Sequence, residues 1–197
     1  AFCNAGFSLF SDSMIHYSSH PGLFLVITPL IILGGLGFGV LYNLLRVGTD
    51  KIIVLLRKQN NPYLIFRNRI PARLSLQTKI VLTVSIALIL CGTLAFMVFE
   101  NYSVGADGQC RWTDAFFQSV TSRTAGFNSI DIAALSDSSK FIIIALMFIG
   151  GSPGSTAGGI KTVTFAVVIM VAIASLRKRR DVEMFRRSVR LLVVGQA

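Results

Sequence analysis

Thr121-Ser122-Arg123-Thr124-Ala125-Gly126-Phe127-Asn128 is the stretch on which the reading of this chain turns. It has a partner near the start, Ala1-Phe2-Cys3-Asn4-Ala5-Gly6-Phe7-Ser8. Aligning Gly6 with Gly126 also matches Ala5 with Ala125 and Phe7 with Phe127. An apolar segment follows each copy. A spacing of this size points to repetition of a large unit, not to a short solenoid period.

The flanking segments set the context. Of the 197 residues, 53% are hydrophobic and 14% charged, and the mean hydropathy is +0.67. A soluble domain carries about 25% charge, so the composition is that of an integral membrane protein. Fifteen of the 19 basic residues lie between Arg46 and Lys79 or between Arg177 and Arg190. Each block abuts the end of a hydrophobic span, which is the positive-inside pattern and places both blocks in the cytoplasm. Asp12, Glu100, Asp107, Asp114, Asp131 and Asp137 lie in the other connectors, which are then external. That distribution turns the net charge of +10 into a topology signal and argues against nucleic acid as a partner. Membrane lipid is the partner it implies.

Three cysteines, Cys3, Cys91 and Cys110, show no ligand spacing and give no disulfide framework. His16 and His20 sit one helical turn apart, but no Cys, Asp or Glu completes a metal set with them. No enzyme chemistry is indicated.

The spans follow from length. Leu23–Leu45 is one span, with Pro29 as a candidate kink and Gly34, Gly35, Gly37 and Gly39 giving close helix contact. Asn60-Asn61-Pro62 and Pro71 mark turns in the basic block, with a short helix expected before Asn60. Lys79–Phe99 is a second span, ending at Glu100. Thr113 is a fair N-cap for a helix over Asp114–Thr121, ~12 Å long and too short to cross a bilayer. It enters the outer half, stops, and the A-G-F stretch turns back out. Lys140–Leu176 is too long for one span and too short for two with a loop. Gly150 to Thr162 breaks it into two helices, about Phe141–Ile149 and Lys161–Leu176, since no straight helix survives five glycines and Pro153.

A cation in a bilayer must exchange its water for oxygen ligands, and loop carbonyls supply them where glycine frees φ. A short helix whose C-terminus faces the loop adds partial negative charge. Gly150–Thr162 also approaches a phosphate-loop pattern, but Ile160 precedes Lys161 where glycine belongs and no strand precedes the stretch. Lys161, a charge within an apolar segment, donates to carbonyls of the broken loop or acts on the ion path. Arg123 satisfies carbonyls or pairs with an external acid behind the loop.

On the two A-G-F stretches, the Gly150–Thr162 stretch, and the flanking Phe148-Ile149 and Thr164-Phe165, the chain resembles the Trk/Ktr/HKT superfamily of potassium transporters, closest to the Ktr/Trk branch. The resemblance covers essentially the whole chain. It implies an all-α membrane protein of M1–pore-helix–M2 repeats with re-entrant filter loops and a broken M2 helix, in the cell membrane and multi-pass. Residues 1–45 then look like the filter and M2 of the second repeat, and 46–78 like a cytoplasmic basic linker. Residues 79–176 look like the complete third repeat, with an intramembrane gating loop at 150–161. Residues 177–197 look like a cytoplasmic basic segment. The first and fourth repeats and the start of the second are absent, so the chain is expected to be a fragment that cannot close a four-sided pore. By the same resemblance, Asn4, Ala5, Gly6, Thr124, Ala125 and Gly126 form the ion-binding filter. Gly150, Gly151, Ser152, Gly154, Ser155, Thr156, Gly158, Gly159 and Lys161 form the gate. K⁺ at the filter is the bound metal and the substrate, with Na⁺ a second candidate, and there is no cofactor. A homodimer of full-length subunits and a cytosolic nucleotide-binding regulatory subunit are the implied partners. The alternative is a non-conducting helical membrane fragment or scaffold whose loops only pack.

Overall fold

The computed structural model describes residues 4–10, 12–17, 20–60, 73–104, 111–123, 125–177, 182–184 and 187–189. The turns expected at Asn61-Pro62 and at Pro71 lie outside these residues, as does Thr124.

The first hydrophobic segment is two helices. Helix α1, Pro21–Leu36, opens with proline at its first position, where the missing N–H costs nothing. Helix α2 is Phe38–Asn60. Between them Gly37 has φ +77° and the axes bend by 104°. The kink thus falls at Gly37, while α1 runs on through Pro29. The reason is a tertiary contact. A Cβ on Gly37 would lie 2.5 Å from Ser152 Oγ and 2.8 Å from Pro153 O, so a segment of distant sequence packs directly against the bend. The short helix expected before Asn60 is the far end of α2, which carries Arg46 and Lys51 on the same helix.

Helix α3, Leu76–Val104, is the one helix among the described residues long and apolar enough to cross a bilayer unbroken. Helix α4 is Trp112–Thr121. It starts before the expected Thr113 cap: Asp114 N–H and Ala115 N–H both donate to Arg111 O, at 3.0 and 3.1 Å, so Arg111 holds the cap position and Thr113 lies inside the first turn. Helix α5 is Asp137–Phe148 and α6 is Thr162–Leu176. Ser136 caps α5 by accepting from Ser139 N–H at 3.2 Å. The buried Glu100 in the last part of α3 accepts from the hydroxyls of Ser139 (2.7 Å) and Ser136 (3.3 Å), which ties α3 to the start of α5. A short antiparallel pair, β1 Val182–Met184 with β2 Arg187–Val189, adds the only strands among the described residues.

Helix α3 contributes to all four apolar clusters. Ile89 packs with Phe24 and Ile31 of α1, with Phe117 and Val120 of α4, and with Ala125 and Phe127 beyond it. Phe96 packs with Ala115, Leu135, Ile143 and Leu146. Val81 meets Leu36 and Val40 at the α1–α2 break, and Ile80 meets Ala166 of α6. The closest approach is at Gly92. A Cβ there would overlap Ser119 Oγ and lie 3.0 Å from Leu146 Cδ1, while Ser119 donates to Ile89 O at 3.0 Å. Small residues admit this contact between helices.

Gly92→Ala should therefore destabilise the full-length protein by ~1–3 kcal/mol, the usual cost of overpacking. Ser119→Gly should recover part of that loss when combined with it, as read from thermal denaturation in detergent. Additive losses in the double variant would place the strain elsewhere.

Candidate ion path between two glycine loops

The site is built from the end of α4. Thr121 closes the helix and gathers the N–H groups that follow it. Its carbonyl accepts from Ala125 N–H (2.9 Å) and Gly126 N–H (3.2 Å), and its hydroxyl accepts from Phe127 N–H (2.9 Å). In a trans peptide the carbonyl points opposite to the N–H, and no cis bond occurs among the described residues. The carbonyls of Ala125 and Gly126 therefore point away from α4. Gly126, with φ +76°, makes this turn possible. Ala125 and Phe127 anchor the loop in the core cluster.

The first A-G-F copy, around Gly6, lies directly against this second one. A Cβ on Gly6 would sit 2.6 Å from Ala125 O and 3.1 Å from Gly126 Cα, and one on Gly126 would sit 3.4 Å from Gly6 Cα. Gly6 has φ +69° and Asn4 φ +50°. Just beyond, Met14 N–H donates to Asn128 O (3.0 Å) and Asn128 N–H donates to Ser13 Oγ (3.0 Å). The structure thus brings together Asn4, Ala5 and Gly6 with Ala125 and Gly126 from 120 positions away. The two copies differ in packing: Ala125 and Phe127 are buried, whereas Ala5 and Phe7 are exposed.

The glycine-rich stretch has a closed neck. Ile149 and Ile160 form a parallel bridge, Gly150 N–H donates to Ile160 O (3.0 Å), Ile160 N–H to Phe148 O (3.1 Å), and Thr162 N–H to Gly151 O (3.0 Å). Gly150 is required here, because a Cβ would collide with Gly158 O. The body of the loop docks on the α1–α2 break. Ser152, fully buried, donates from its N–H to Gly35 O (3.0 Å) and from its hydroxyl to Leu36 O. Thr156 Oγ1 donates to Gly34 O (3.4 Å), and Gly154 O accepts from Phe38 N–H (3.2 Å). Ser155 is half-buried, and its hydroxyl has no partner among the described residues. Gly158 and Gly159 are exposed. Gly35 joins this loop to the first A-G-F copy, since a Cβ on it would lie 3.9 Å from Asn4 Nδ2.

Lys161 is half-buried and its Nζ donates to Ala157 O (2.7 Å), so it serves the carbonyls of the broken loop. The Nε of Arg123 is buried and has no hydrogen-bond partner among the described residues. Thr121 and Gly37 were the residues that sequence reasoning passed over. A hydroxyl at the end of a short helix, two residues before Arg123, was the available signal for the first. For Gly37, one glycine of four in a run, the sequence alone does not separate a break from close packing.

Short helix, glycine loop and broken helix together define an all-α membrane protein. Residues 1–193 match the TrkH family of cation transport proteins. The chain is 36% identical over its whole length to the Ktr system potassium uptake protein B of Bacillus subtilis and covers 40% of that protein. It is 37% identical over 96% of its length to the protein of the same name from Vibrio alginolyticus, covering 38% of it. It is 33% identical to the potassium/sodium uptake protein NtpJ of Enterococcus hirae, covering 40% of it. The fold matches the crystal structure of the potassium transporter TrkH from Vibrio parahaemolyticus with a TM-score of 0.61 at 19% identity, over 90% of this chain and 34% of that one. The chain belongs to the TrkH cation transport protein family. It spans about 40% of the length of the curated relatives it matches.

The two glycines differ in tolerance. Both have positive φ, which costs an L residue ~1–2 kcal/mol, but only Gly6 also lacks room. Gly6→Ala should lower the melting temperature of the full-length protein more than Gly126→Ala does. Equal losses would mean that backbone conformation alone decides.

Proposed function

We propose that this chain is part of a potassium uptake protein, and that K⁺ passes between the two A-G-F loops on oxygens of their backbone. The observation that carries the reading is the contact of the loops at Gly6 and Gly126, with Ala125 O and Gly126 O turned away from α4. Oxygens so placed replace water around a dehydrated cation. The C-terminal end of α4 faces the same point and adds partial negative charge. Asn4, Ala5, Gly6, Thr124, Ala125 and Gly126 are the proposed filter. Helices α3 and α4 are read as M1 and pore helix, and α5 with α6 as the broken M2; α1 and α2 form the M2 of the preceding repeat. The relatives' names, potassium uptake and potassium/sodium uptake, support K⁺ as substrate and keep Na⁺ as the second ion.

The glycine-rich loop is the proposed gate, since its polar groups bond to the α1–α2 break, where a continuous helix would bond to itself. Few apolar contacts hold such a loop, so two arrangements of it differ by only a few kcal/mol. In the full-length protein we assign the membrane as cell membrane, the spans as multi-pass, and the basic stretches after Arg46 and after Arg177 to the cytoplasmic side. A dimer of full-length subunits and a cytosolic nucleotide-binding subunit complete the proposed assembly.

Two measurements test this on the full-length protein. Gly126→Ser should reduce the preference for K⁺ over Na⁺ about tenfold, ~1.4 kcal/mol of discrimination, in competition uptake assays; unchanged competition removes Gly126 from the filter. Deleting residues 152–158 should raise the maximal K⁺ flux and change apparent affinity less, because the filter is untouched. A deletion protein that inserts normally with unchanged or lower flux makes the loop a packing element.

A further inference from the structure

In a continuous α-helix each carbonyl accepts from the N–H four residues on. Across the α1–α2 break those pairs would be Gly34 O with Phe38 N–H, Gly35 O with Gly39 N–H, and Leu36 O with Val40 N–H. The 104° bend at Gly37 separates all three. The glycine-rich loop supplies a substitute for each carbonyl. Thr156 Oγ1 serves Gly34 O, Ser152 N–H serves Gly35 O, and the Ser152 hydroxyl serves Leu36 O. In return, Gly154 O takes the freed N–H of Phe38. The loop thus serves four of the six backbone groups that a straight helix would pair with one another.

We propose that Ser152 is a positioning residue for transport, and that release of the glycine-rich loop and straightening of α1 into α2 are one exchange of hydrogen bonds. The inference rests on the gate reading above and adds the element that moves with the gate. Loop release without straightening strands three carbonyls and an N–H at a point where Ser152 is fully buried, and orphaned backbone groups at membrane depth are strongly disfavoured. Straightening without release sets the helix and the loop in competition for the same atoms. Each movement therefore needs the other.

The test uses the full-length protein with spin labels at Val26 and Leu45, which are both exposed, 59% and 69%. With 1.5 Å rise per residue and the observed bend, their backbones lie ~18 Å apart bent and ~28 Å apart straight. Ser152→Ala removes one donor to Leu36 O. It should move the distance distribution toward the longer value and raise the maximal Rb⁺ uptake rate about fivefold, the net weight of one hydrogen bond. Gly39→Pro blocks straightening: proline has no N–H for Gly35 O and its ring clashes with that carbonyl in a continuous helix, yet it is tolerated in a first turn. The site has room, since nothing lies within 4 Å of a Cβ on Gly39. Gly39→Pro alone should transport below the wild-type rate. In the Ser152→Ala background it should return both distance and rate to or below the wild-type values. A distance that stays short in Ser152→Ala overturns the exchange, and so does a Gly39→Pro protein that transports at the wild-type rate. Should Ser152→Ala fail to insert, the Gly39→Pro rate decides. The distances are read without ion flux, so a loop deletion that fails to raise flux would overturn the gate reading and leave this exchange standing on its own data.

Discussion

A backbone that leaves the helix inside an apolar slab has no water to bond, and its N–H and carbonyl groups must find one another. The irregular parts of this structure are arranged by that constraint. The A-G-F loop after α4 satisfies its N–H groups on one residue, Thr121, and so leaves its carbonyls facing the other way. The ends of α5 and α6 pair through the Ile149–Ile160 bridge. The open end of α1 and the open start of α2 pair with the loop between α5 and α6. Irregular backbone meets irregular backbone, and the regular helices around it, α3 above all, hold the pairs in register through apolar packing.

Much of this was legible in the sequence because length and composition carried it. A run of apolar residues through Lys79–Phe99 has one use, and α3 spans it. A helix stopped at Thr121 by A-G-F is too short to cross, and α4 is that helix. Five glycines and Pro153 divide Lys140–Leu176, and the division falls between Phe148 and Thr162. The motif repeated across 120 positions proved to be a pair in space. What was not legible depended on partners remote in sequence. The break at Gly37 is set by Ser152, 116 residues from the carbonyl it bonds, and no local signal distinguishes Gly37 from Gly35 or Gly39. Pro29, the stronger local breaker, sits inside the unbroken helix α1. The cap of α4 at Arg111 was missed because side-chain chemistry favoured Thr113, whereas backbone donors settled it.

The two copies of the glycine motif are alike in conformation and unlike in surroundings. Gly6 and Gly126 share a positive φ within a few degrees. Ala125 and Phe127 are buried behind α4, while Ala5 and Phe7 are exposed. The shape of the turn is therefore a property of the glycine and its neighbours. The rigidity of the turn is a property of what packs behind it. In the second copy, apolar contacts with α1, α3 and α4 hold in place a turn whose carbonyls the Thr121 hydrogen bonds direct; in the described part of the first, the neighbouring loop is what Gly6 presses against.

At the neck, between Ile149 and Ile160, two helix ends are clasped by their own backbone. Gly158 and Gly159, though exposed, pack back on Gly150, so the clasp and the residues beside it change together. The stretch is thus a clasped insert: its two ends are held by backbone groups, so the side chains of Ile149 and Ile160 take no part in the hydrogen bonds that close it.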